Sequence, residues 1–175
     1  MTTTAVNFLD TGATVFHDDI AWLAANGITK GCNPPFNDEF CPDKVVTRAQ
    51  MAAFLVRALG LSGGENANYF SDDDGSIFEA NINTLAYWEI TLGCNPPTND
   101  KFCPDAATVR ASMASLLALA IILVDGLDLN FFTDDFGKVH DFNINRLAHY
   151  GINKGCNPPL NTLFCPDGQV TRGQM

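Results

Sequence analysis

The chain has 175 residues, 46% of them hydrophobic, with Lys+Arg 10 against Asp+Glu 20 and a formal charge of -10. This balance excludes non-specific nucleic-acid binding, which needs a basic face, and it disfavours adsorption to an anionic membrane. The hydrophobic fraction is too high, and the charge too low, for a disordered tail. The longest uncharged apolar run, Met113 to Val124, is short of the roughly 20 residues that a membrane helix requires. The stretch Met1 to Val6 is neither basic nor strongly apolar, so no signal peptide is expected in it. Six cysteines nevertheless point to an oxidising compartment.

One pattern is written nearly three times at a constant offset of 62 residues. Each copy starts on Phe-x-Asp, at Phe8, Phe70 and Phe132, and reaches Gly-Cys-Asn-Pro-Pro at Gly31, Gly93 and Gly155. Phe-Cys-Pro-Asp follows at Phe40, Phe102 and Phe164, then Arg48, Arg110 and Arg172 with Met51, Met113 and Met175. The units are expected over residues 7–68, 69–130 and 131–175, the third 17 residues short of the full length. Short connections, Ser62 to Asn68 and Asp125 to Asn130, leave no room for a further domain.

Within a unit the extended Phe-x-Asp segment leads into a first helix. Its apolar face is Ile20, Leu23, Ala24 and Ile28, matched by Ile82, Leu85, Ala86, Ile90 and by Ile144, Leu147, Ala148, Ile152. Gly27 and Gly151 suit the position just past its end, where the second unit has Glu89. The cysteine loop comes next. The pairs Cys32–Cys41, Cys94–Cys103 and Cys156–Cys165, one per unit, are expected to be local disulfides. Zinc is the rival, but each unit offers two widely spaced thiols and no histidine inside the loop. Thiol catalysis lacks both a Cys-x-x-Cys and a recurring histidine.

The second helix starts on a capping box, Thr47 to Gln50, repeated as Thr171 to Gln174. Unit two has Val109 and Ser112 there, so Thr108 is the candidate cap. The first copy should run to about Leu59 and be ended by Gly60 or by Gly63-Gly64. The second copy, Ala111 to about Val124, carries no charge and is expected at the centre of the assembly. The fold class is all-α: three helix–loop–helix repeats packed as a pseudo-threefold bundle, with loops stapled by disulfides.

Phe-x-Asp, Ile-x-x-Leu-Ala-x-x-Gly-Ile-Thr-x-Gly, Phe-x-Pro-Asp and the run Val46 to Leu59 together closely resemble the S-layer homology repeat. The resemblance covers essentially the whole chain, and the cysteine-flanked loop looks like a variant within that family. It implies a non-catalytic extracellular module that anchors proteins at a cell surface. The partner it implies is an anionic cell-wall polysaccharide, held in grooves between repeats and contacted by the arginine of the Thr-Arg-Ala-Glu motif. That arginine maps to Arg48, Arg110 and Arg172, with Thr47 and Gln50 beside the first; the acidic position of the motif is Gln50, Ser112 and Gln174 in this chain.

A fixed cation in an acidic protein is a plausible bidentate partner for a carboxylate. The alternative is pairing with the loop residues Asp43, Asp105 or Asp167. Trp22 and Trp88 could stack on sugars or pack between repeats. Asp72-Asp73-Asp74 and Asp134-Asp135 lack the ligand spacing of an EF-hand and suit a turn at the start of a helix, so neither metal nor cofactor is expected. His17, His140 and His149 share no repeat position, and no catalytic set is visible. The competing function is a structural or decoration subunit of an extracellular assembly (a surface layer, filament or virion) acting through contacts with other chains or copies.

Overall fold

The computed structural model describes residues 8–121 and 130–175. Five helices follow in order: α1 His17–Ala25, α2 Arg48–Leu59, α3 Glu79–Tyr87, α4 Arg110–Ala120 and α5 Asp141–His149. Among the described residues there is no strand, only three isolated bridges, and no helix is long and apolar enough to cross a membrane. The expected continuation of α4 to Val124 and the connection 125–129 lie outside the described residues, as do residues 1–7.

The first helix of each unit ends the same way. Gly27 N–H donates to Ala24 O at 3.0 Å and Ile28 N–H to Leu23 O at 2.9 Å, the paired bonds of a Schellman close. Glu89 takes up the glycine's place with φ 56°, against 69° at Gly27 and 68° at Gly151. The backbone form is therefore common to all three units although the residue is not. Ile28, Ile90 and Ile152 fall just beyond their helices rather than on them. Ile28 and Ile90 still reach the interior, at the position where a helix stop usually carries an apolar contact.

The capping box forms in the first unit: Thr47 Oγ1 accepts from Gln50 N–H, and Gln50 Oε1 accepts from Thr47 N–H, both at 3.2 Å. It forms again at Thr171 and Gln174. In unit two the cap expected from Thr108 is absent. Val109 is the N-cap residue of α4 with no side-chain bond, and Thr108 Oγ1 is buried without a partner among the described residues. A side chain one residue before the cap points to the interior of the bundle instead of along the new helix.

The second helix of one unit packs on the first helix of the next. The interhelical contacts run α2 on α3, α4 on α5, and α2 on α4. One core cluster joins Met51, Phe54, Leu55 and Val56 of α2 to Ile82 and Leu85 of α3. A second joins Ala111, Ala114 and Ala118 of α4 to Ile144 and Leu147 of α5. The expectation that α4 lies at the centre needs correction. Every residue of α2 from Met51 to Val56 is buried, whereas Leu119 of α4 is exposed, as is Ile121 just beyond it. Lack of charge permits complete burial but does not impose it.

Three backbone bonds close the units into a ring. Val46 N–H donates to Val170 O at 3.0 Å, Val170 N–H to Thr108 O at 2.9 Å, and Thr108 N–H to Val46 O at 2.9 Å. A second layer runs around the ring in the opposite sense: Arg48 N–H to Ala106 O, Arg110 N–H to Gly168 O and Arg172 N–H to Lys44 O. Every unit thus donates to both of its neighbours, and the second layer closes from unit three back to unit one.

Candidate functional site

Each cysteine loop is built around the Phe-x-Asp aspartate. The two carboxylate oxygens of Asp10 accept from the consecutive amides of Phe40, at 2.8 Å, and Cys41, at 2.6 Å. Asp72 binds Phe102 and Cys103 in the same way, and Asp134 binds Phe164 and Cys165. The second cysteine of each pair has a positive φ, near 58°, a conformation that L-residues adopt only under outside constraint. Two charge-assisted bonds and a covalent bond supply that constraint. All three expected disulfides are formed, with Cα atoms 6.0–6.1 Å apart, and no described cysteine is free. Across the loop Cys32 N–H donates to Glu39 O at 2.8 Å, and Asn33 Oδ1 accepts from Glu39 N–H. The glycine before the first cysteine is fixed by space: a Cβ on Gly155 would stand 2.7 Å from Leu163 O, at φ 81°.

The repeated arginines reach across unit boundaries into these loops. Arg48 Nε–H donates to Phe102 O at 2.8 Å and an Nη2–H to Gly93 O at 3.3 Å. Its guanidinium carbon lies 4.8 Å from the centre of the Phe102 ring. Arg172 does the same to Phe40 O and Gly31 O of the first unit and stacks on both Phe40 and Phe54. Arg110 donates Nε–H to Phe164 O at 2.7 Å and stacks on that ring at 4.6 Å. Burial pulls all three guanidinium groups below their ordinary pKa, with Asp72, Asp134 and Asp10 acting in the opposite direction on Arg48, Arg110 and Arg172. The alternative of pairing with Asp43, Asp105 or Asp167 is not what forms. Among the described residues the ion pair is Lys138 with Asp167, at 3.8 Å on the surface. Sequence spacing could not show that a loop of the next unit would supply carbonyls and a ring to each arginine.

Arg110 also lines a cleft of about 280 Å³ between units two and three. Met113, Ala114 and Leu117 of α4 form one wall; Leu147, Asn153, Lys154 and Gly155 of unit three form the other. Gln174 and Met175 also line it. Asn153 donates Nδ2–H to Ile144 O at 3.2 Å, while its Oδ1 is buried with no donor among the described residues. The lysine is not universal: Lys30 holds the matching position in unit one and Leu92 in unit two.

The other expected site residues do not join this cleft. Thr47 and Gln50 are engaged with one another in the capping box. Trp22 and Trp88 are both exposed and occupy different repeat positions; Trp88 Nε1–H donates to Ser62 O at 3.0 Å. A Ser–His contact that the sequence did not single out joins α4 to the start of α5. Ser115 Oγ is 2.8 Å from His140 Nδ1, and Asn143 Nδ2–H donates to the same hydroxyl. Burial, reinforced by the charge of Arg48, holds the His140 pKa below its ordinary value. No carboxylate is hydrogen-bonded to His140 among the described residues. The cluster therefore lacks the group that would orient the ring as a base.

Stapled helix–loop–helix units, each clamped by an arginine of its neighbour, define a disulfide-braced all-α repeat module. Residues 7–52 match the S-layer homology domain family, and the chain carries that domain. The domain is a non-catalytic cell-wall anchoring module and assigns the chain to the cell surface or cell wall. An amylopullulanase of Thermoanaerobacterium thermosulfurigenes is 27% identical over 160 residues, which is 90% of this chain and 8% of that protein.

Proposed function

We propose that the chain is a non-catalytic anchor whose three units, 7–68, 69–130 and 131–175, act together, and that it binds an anionic cell-wall polysaccharide in the cleft between units two and three. One observation carries the choice of cleft: Arg110 and Lys154 line it together in a protein of formal charge -10. Two adjacent cations on such a background attract and orient an acidic sugar polymer. The apolar wall of Met113, Ala114 and Leu117 offers a surface for the faces of sugar rings. Arg48 and Arg172 each commit an Nη2–H as well as Nε–H to backbone carbonyls, so on this reading they act chiefly as clamps. Removing all three arginines would confuse anchoring with folding.

The test is retention on purified cell-wall polysaccharide. Lys154→Glu is expected to weaken binding by at least about tenfold and to leave the unfolding midpoint unchanged, because its partners are solvent and ligand. Binding should also weaken with added salt. Full retention by Lys154→Glu would remove this cleft as the site.

A further inference from the structure

The N-cap residue of the leading helix is Phe16 in unit one, Phe78 in unit two and His140 in unit three. The phenylalanines pack on apolar neighbours, Phe16 in the cluster of Phe8, Ile20 and Phe40, and Phe78 in that of α2 and α3. His140 instead meets Ser115, which holds the repeat position of the buried Ala53 of α2. A polar pair thus joins α4 to α5, where the boundary of units one and two has Phe78 and Ala53 at the matching places. Ser115 Oγ lies 2.8 Å from His140 Nδ1 and accepts from Asn143 Nδ2–H at 3.0 Å. The hydroxyl's own proton is then free for Nδ1 of a neutral ring.

Three features oppose a positive charge on this ring. It is half-buried; it stands at the N-terminus of α5, where the helix dipole disfavours cations; and the charge of Arg48 acts on it. The other charged groups of the packed elements give no relief. Arg110, the charged residue of α4, is itself a cation. Lys138 in the preceding turn pairs with Asp167. Asp141, next in the chain, accepts from Gly137 N–H and Asn145 Nδ2–H. Protonation also turns Nδ1 from acceptor into donor, so the hydroxyl would face two donors and its own proton would lose its acceptor.

We propose that His140 is a pH-sensitive latch between units two and three: as a neutral ring it ties α4 to α5, and on protonation it releases them. The cleft shares these helices, being lined by Met113, Ala114 and Leu117 of α4 and Leu147 of α5, so anchoring weakens in mild acid. This second consequence rests on polysaccharide binding in that cleft; the latch itself does not. A base that resists protonation only when folded contributes stability that is complete above about pH 6.5 and is lost as pH falls below it.

The full chain is compared with the double variant His140→Phe, Ser115→Ala, which carries the residues that unit two and α2 have at these places. Between about pH 7.5 and about pH 5, the thermal unfolding midpoint of the parent should fall further than that of the variant, by about 2 °C or more. Asp73 and Asp135, buried to 1% and 0% exposure with pKa values raised by burial, act in the opposite sense but equally in both proteins. The acid-induced loss of retention on purified anionic cell-wall polysaccharide should be larger in the parent by about threefold or more. In the parent, the His140 ring followed by NMR should titrate below the ordinary histidine range. Titration at or above about 6.5, or equal midpoint shifts in parent and variant, would overturn the latch. Equal losses of retention beside unequal midpoint shifts would overturn its link to anchoring. No retention of the parent at either pH would overturn polysaccharide binding in the cleft, while the midpoints still decide the latch.

Discussion

Thr108 provides the sharpest test of the closed ring. It shares its place with Val46 and Val170, and the three residues pass one backbone hydrogen bond around the cycle at 2.9–3.0 Å. All three are buried, Thr108 at 0% exposure, yet its Oγ1 finds no partner among the described residues. Burying a hydroxyl without a partner costs about 1–3 kcal/mol. Valine has nearly the same shape and keeps the backbone N–H and C=O of the ring, so cavity and strain contributions stay small. Thr108→Val is expected to stabilise the protein by about 1–2 kcal/mol, or about 2–8 °C in Tm for a chain of this size. Urea denaturation with an unchanged m-value is the measurement. The reciprocal changes Val46→Thr and Val170→Thr should each cost a similar amount. Destabilisation of Thr108→Val by more than about 0.5 kcal/mol would refute the reasoning, because it would mean that the hydroxyl is satisfied in solution.

The arginine clamps and the staples give two further outcomes. Arg172→Lys should cost about 2–4 kcal/mol, since the buried Phe40 carbonyl loses its donor and an ammonium cannot reproduce the planar fork. Arg110→Lys should cost less, because Arg110 is half-buried. Chemical denaturation of both variants checks the order, and equal small effects would contradict the clamp. Replacing Cys94 and Cys103 together by serine should lower stability by about 2.5–3 kcal/mol on the chain-entropy account. The denaturation midpoint of the double variant, compared under non-reducing conditions with the parent, measures it.

Much of this architecture is legible in the sequence because the repeat is an internal alignment. Three cysteine pairs at one spacing, a capping box written twice and Gly60 after Leu59 each specify local structure through nearest neighbours alone. The arginines show the limit of that reasoning. Their partners, Phe102, Phe164 and Phe40, lie 54 or 132 residues away in the chain, and no local rule says which unit's loop an arginine will enter. The same limit explains α4. Its composition permits burial everywhere, yet among the described residues Leu119 is exposed. Asp73 was obscured for a different reason: it sits in an acidic run between Asp72, which accepts from the loop amides, and Asp74, which accepts from Asn68 Nδ2–H. Only its depth separates it from them.

Stacked repeats usually form an open line, in which terminal units see one neighbour and stability grows by addition. The ring of Val46, Thr108 and Val170 has no terminal unit. Each loop takes its arginine from one side, and each unit lends its own arginine to the other side. Unfolding one unit therefore strips a clamp from a neighbour and leaves a bare loop behind. Disruption should spread around the circle, so the three units should melt as one cooperative body and not peel away singly from an end.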